Sequence, residues 1–142
     1  MADLEPLIRL RKHTVDEKQK YLASILREAE RVEAEKKDIQ DKMAHEQKLA
    51  KESDHAESVA FLGNFLQASS NRIDKLNRYL GELNTRIEAA QEDMRAAFAE
   101  MKKIEIIHRN REKAERAEEE KKQSDLLDEI AIDGYRRNLD DE

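Results

Sequence analysis

The 142-residue chain contains no cysteine and no tryptophan, one proline, three glycines and only 4% aromatic residues. Without cysteine there is no disulfide framework, no thiolate metal site and no cysteine nucleophile. Three glycines leave little room for phosphate-cradling loops or for the turns of a many-stranded sheet. The N-terminal stretch lacks the apolar core of a signal peptide, and no later segment approaches the roughly 18 apolar residues of a membrane span. These absences predict a soluble, cytoplasmic protein with no direct membrane insertion.

What the chain has is charge: 42% of residues are Asp, Glu, Lys or Arg, the formal net charge is -6 and the mean hydropathy is -0.98. Such a composition suits either disorder or long charged helices, and periodicity separates the two. Alternating steps of four and three from Leu4 reach Ile8, Arg11, Val15, Lys18, Leu22, Ile25, Ala29, Val32, Lys36, Ile39, Met43, Glu46 and Ala50. Most of these are apolar, as a heptad seam requires. A second series runs Val59, Leu62, Leu66, Ser69, Ile73, Leu76, Leu80, Leu83, Ile87, Ala90, Met94, Ala97, Met101 and Ile104, interrupted only by Ser69. The two series predict an all-α fold in which two helices pair along apolar seams.

The arms are of equal length and flank a polar break, so the chain is expected to fold back as an antiparallel coiled-coil hairpin with its turn near 51–57. Asp54, three residues before Glu57, has the form of a helix start, because its carboxylate can accept from free first-turn N–H groups. Gly63-Asn64 and the Ala68-Ser69-Ser70-Asn71 run are composed like rival turns, but the seam crosses both without changing phase. A turn at Asp54 sets Leu22 near Ile87 and Val32 near Leu76 or Leu80. At 1.5 Å per residue, paired arms would make a rod about 70 Å long.

Beyond Ile104 the same phase meets only polar residues: His108, Arg111, Glu115, Glu118 and Lys122. The second helix is therefore expected to outlast its partner, giving a hairpin over 1–104 and a charged helical overhang and tail over 105–142. Glu105 to Arg109, Glu112 to Arg116 and Glu118 to Lys122 place acids four residues before bases, which supports an exposed helix. An apolar cluster then returns at Leu126, Leu127, Ile130, Ala131 and Ile132, and Gly134 is placed to end the helix. Most of the excess acid lies in this last stretch, so a basic face for nucleic acid is absent. Neither arm has the Lys/Arg-rich face opposite bulky apolar residues that a membrane-surface helix needs.

Catalysis needs groups converging in a dry pocket, and a two-helix rod offers none. His13, His45, His55 and His108 are far apart in sequence, and no two stand at i, i+4, so they read as solvated. The acidic runs Asp16-Glu17, Glu118 to Glu120 and Asp140 to Glu142 read as solubilising charge. No enzyme activity, metal or cofactor is expected.

Three apolar features exceed what a two-stranded seam consumes. Phe61 and Phe65, at i, i+4 beside Leu62 and Leu66, either form an anchor stripe for a partner or seal the hairpin end against Leu49 and Met43. Leu7 and Leu10 stand among Arg9, Arg11 and Lys12 near the N-terminus. The Leu126 to Arg137 segment is either a partner surface or a helix folded back on its own chain.

The order of these elements carries a resemblance. The opening Leu4-x-x-Leu7-Ile8-x-Leu10-Arg11, the Lys/Glu-rich heptads, Phe65-Leu66 leading into Ile73, Leu76, Leu80, Leu83 and Ile87, and the ending Leu127-Asp128-Glu129-Ile130-Ala131-x-x-x-Tyr135-Arg136-Arg137 together resemble the FliJ family of flagellar protein-export components. The resemblance spans nearly the whole chain. It implies a cytoplasmic, non-enzymatic stalk of a type III export apparatus, similar to the stalk of a rotary ATP synthase and peripheral to the membrane through the apparatus. The implied partners are a hexameric export ATPase, a membrane-embedded export gate and export chaperones. By the same resemblance Arg9, Arg11, Asp128, Glu129, Arg136 and Arg137 would face the ATPase, and Phe61 and Phe65 the gate or chaperones. The chain departs from the family in having Ser69 on the seam and a tip rich in Ala and Ser. A generic coiled-coil scaffold or homodimer, and a substrate-specific secretion chaperone, are the competing readings from the residues alone.

Overall fold

In the computed structural model, which describes residues 3–53 and 55–141, the chain forms two helices, α1 over Glu5–Lys51 and α2 over Ala56–Asp140. Among the described residues there is no strand. The architecture is an all-α antiparallel hairpin whose second helix continues beyond the paired region. Two compact units divide it: residues 1–12 with 98–142, and residues 13–97.

Local chemistry sets the helix ends. Asp3 Oδ1 accepts from the Glu5 N–H at 3.0 Å, satisfying one of the donors a helix start leaves free. Pro6 stands in the first turn, where its missing N–H costs nothing. Lys48 and Lys51 complement the negative C-terminal end of α1. The Ser53 N–H then reaches the Ala50 carbonyl at 3.3 Å and tightens the exit. Ser53 Oγ accepts from the His55 N–H at 3.4 Å and donates to Ser58 Oγ at 3.2 Å, drawing the two sides of the connection together. Asp54, expected as the cap of the second helix, lies outside the described residues.

In the 13–97 unit, Val32 packs with Leu76, Leu80 and Leu83, and Ala29, Ile39 and Tyr79 flank the cluster. Val32 and Leu83 are 0% and 1% exposed. Each such side chain contributes roughly 1.5–3 kcal/mol by leaving water. Val15, Ile25 and Ala90 are also buried, while Leu22, Leu66, Ile73, Ile87 and Met94 are half-buried. Polar seam residues Lys18, Lys36, Glu46 and Ser69 are half-buried too. In the other unit Met101 is buried, and Ile8 and Ile104 are half-buried.

Two positions depart from the periodic reading. Val59 is 61% exposed; Ser58 and Leu62 instead turn inward, because the step back from Leu62 is four residues rather than three. Gly134 does not end α2, which runs on to Asp140 with no positive φ among the described residues. Glycine permits a left-handed terminator but does not require one, and nothing beyond it competes with the helix.

A polar chain crosses between the helices beside the core. Arg31 donates to both Glu28 oxygens at 2.7 and 3.1 Å and reaches Glu35 at 3.4 Å. Glu35 accepts from Arg72 of α2 at 2.7 and 3.2 Å, and Tyr79 donates its hydroxyl to Glu28 at 3.1 Å. Hydrogen bonding from Arg72 holds the Glu35 carboxyl below the usual range, as Arg31 does for Glu28. Partial burial pushes the Tyr79 hydroxyl up, reinforced by its bond to Glu28. Such flanking pairs fix register and strand orientation more than they add stability.

Candidate functional site

The residues that pairing leaves exposed define two candidate surfaces, one in each unit. In the 13–97 unit, Phe61 and Phe65 lie one turn apart on α2 with ring centroids 6.3 Å apart and planes 14° from parallel. Phe61 is 63% exposed and Phe65 half-buried. Phe61 also borders an open concavity of about 360 Å³ with Glu46, Leu49, Ser53, Ser58 and Leu62. Leu49 borders the same concavity, and Phe61 remains largely exposed to solvent. A stacked pair of rings of which one is largely exposed presents an apolar anchor at low entropic cost to a binding partner.

In the other unit, every described residue of α2 from 113 onward is exposed. Leu126, Leu127, Ile130, Ile132, Tyr135 and Leu139 are all more than half exposed, so this segment does not fold back on the chain. Glu129, Ile132, Asp133 and Arg136 surround a shallow concavity of about 310 Å³, which brings two of the expected ATPase-facing residues together. Asp128 and Arg137 are exposed on the same helical segment. On α1 Arg9 is exposed and Arg11 is half-buried, its Nε shielded from water with no hydrogen-bond partner among the described residues.

Where α1 begins, sequence reasoning missed a polar convergence. Glu5, Ile8, Lys12, Glu105, His108, Arg109 and Glu112 line one concavity of about 410 Å³. His108, read from sequence as solvated, is only 21% exposed and its Nε2 lies 3.1 Å from Glu112 Oε1. Glu105 is engaged by Lys102 at 3.2 Å and Lys12 at 3.7 Å, and hydrogen bonding from Lys102 holds its carboxyl below the usual range. The antiparallel register, carried to the N-terminus, was the signal that could have joined Glu5 to this group.

No helix among the described residues is long and apolar enough to cross a membrane. No curated protein and no solved structure matches the chain. The family model described as flagellar FliJ protein matches residues 1–140 of the 142. With that match over almost the full length, and with a two-helix hairpin behind it, the chain belongs to the FliJ family and is a component of the flagellar export apparatus.

Proposed function

We propose that the chain is a non-enzymatic stalk and adaptor in the cytoplasm that links the hexameric export ATPase to the membrane-embedded export gate and to export chaperones. In this reading residues 1–104 act as the hairpin and residues 105–142 as a charged overhang. The observation that carries it is where apolar surface remains: the paired stretch buries its seam, while large apolar side chains stay exposed at Phe61 and from Leu126 to Leu139. Single apolar side chains such as Tyr21, Leu26 and Phe98 are exposed elsewhere. The pair Phe61 and Phe65 and the run from Leu126 to Leu139 gather theirs into patches, and two separate apolar patches suit two partners.

The ATPase would meet Arg9, Arg11, Asp128, Glu129, Arg136 and Arg137, and the gate or chaperones would meet Phe61 and Phe65. The test is capture of the cognate export ATPase by the chain and by a variant with Arg11, Asp128 and Glu129 replaced by Ala. Binding is expected to fall at least tenfold with helicity unchanged. Undiminished binding would exclude the ATPase surface. A concentration-dependent dimer in which the helices pair between chains would instead favour a scaffold.

A further inference from the structure

We infer that Glu5, His108 and Glu112 form a binding site for a divalent cation of the zinc class, clasping the first turn of α1 to α2. One potential ligand atom from each of the three lies within 4.8 Å of the others. His108 and Glu112 stand one helical turn apart on α2, and Glu5 comes from the other helix, so the set is built by the hairpin rather than by one segment. Around tetrahedral zinc, with ligands at about 2.0–2.2 Å, ligand atoms sit about 3.4 Å apart. The His108 to Glu112 separation of 3.1 Å already meets that spacing. Glu5 is an exposed first-turn side chain, and a change of rotamer closes the remaining gap.

One imidazole nitrogen with two carboxylates suits zinc, and copper or nickel by the usual affinity order, better than the all-oxygen shells of calcium or magnesium. The surrounding charges bear on strength. Lys12 and Lys102 are taken up by Glu105, so neither lysine competes for the carboxylates of Glu5 and Glu112, and the contact Glu112 makes with His108 is one the ion would replace. Arg109 lines the same concavity and Arg116 approaches Glu112 at 3.9 Å, so both oppose the cation and weaken its binding. The site owes nothing to the identity of the export partners. A bound ion would fix the N-terminal turns that carry Arg9 and Arg11.

The test is calorimetric titration of the full chain, freed of any histidine tag, with ZnCl2 and separately with MgCl2 at neutral pH. One zinc per chain is expected, with affinity at least tenfold weaker in His108→Gln and in Glu5→Gln, unchanged in His45→Gln, and no saturable response to magnesium. Zinc should also raise the thermal midpoint of the wild type but not of Glu5→Gln. Absence of saturable zinc binding, or its retention in His108→Gln, would overturn the site. Full affinity in Glu5→Gln would reduce it to a one-helix pair and overturn the clasp.

Discussion

Replacing Leu83 by Ala probes the core most sharply, because Leu83 is 1% exposed and sits in the Val32, Leu76, Leu80 cluster. Three carbon groups leave the interface, a transfer loss of roughly 2.4 kcal/mol at about 0.8 kcal/mol each. A cavity contribution adds to this, but a two-helix interface has solvent on both flanks and can collapse around a void. The expected loss is therefore about 2.5–3.5 kcal/mol, in the lower half of the range for buried Leu→Ala changes. The assay is urea denaturation followed by far-ultraviolet circular dichroism, with Val59→Ala as the matched control. Val59 is 61% exposed and alanine is the better helix former, so that control should lie within about 0.5 kcal/mol of wild type. A Leu83→Ala loss below about 1 kcal/mol, or one equal to the control, would refute the placement of the core.

Other outcomes follow from particular side chains. Gly81 is in mid-helix, lacks positive φ, and has open space where a Cβ would go, so Gly81→Ala should stabilise by about 0.5–1 kcal/mol in the same assay. The carboxyls of Glu28, Glu35 and Glu105 have folded pKa values below their ordinary 4.5, so the stability they lend is present above that pH and is lost as pH falls through the folded values. Thermal midpoints should accordingly drop below about pH 4.5, and Glu35→Gln should flatten that slope while leaving the neutral-pH helix content intact. Loss of the Phe61 ring by Phe61→Ala should leave the urea midpoint nearly unchanged, since that side chain is largely solvent-facing, and on the proposed function it should reduce capture of the export gate.

Much of the hairpin was legible because heptad spacing is a direct geometric consequence of helix pairing. The phase starting at Leu62 brings Leu76, Leu80 and Leu83 to one face, and all three are buried in the cluster with Val32. Lys18, Lys36 and Glu46 show that a seam can carry charge: each is half-buried, and a long side chain can cover apolar surface while its charged head reaches water. The miss at Val59 lies in the opening turn of α2, where a seam step of three or four selects different residues and sequence spacing alone does not choose. The miss at Gly134 has another origin, since helix ends depend on competing contacts that the exposed extension lacks. The Glu5, His108, Glu112 convergence was hidden because it joins residues from opposite ends of the sequence, through register rather than motif. Likewise the cross-helix chain of Glu28, Arg31, Glu35, Arg72 and Tyr79 reads in sequence as ordinary solvated charge.

That the chain pairs with itself is tested most directly by the spacing of Lys18 and Asp93, whose charged groups lie 3.9 Å apart on the two helices and far from the turn. With no native cysteine, Lys18→Cys and Asp93→Cys accept spin labels uniquely, at the cost of one exposed ion pair of little consequence. Pulsed electron resonance should give one short distance, compatible with helix axes about 8–10 Å apart, that survives dilution with excess unlabelled chain. A short distance that disappears on dilution, or that is never seen, would contradict the hairpin.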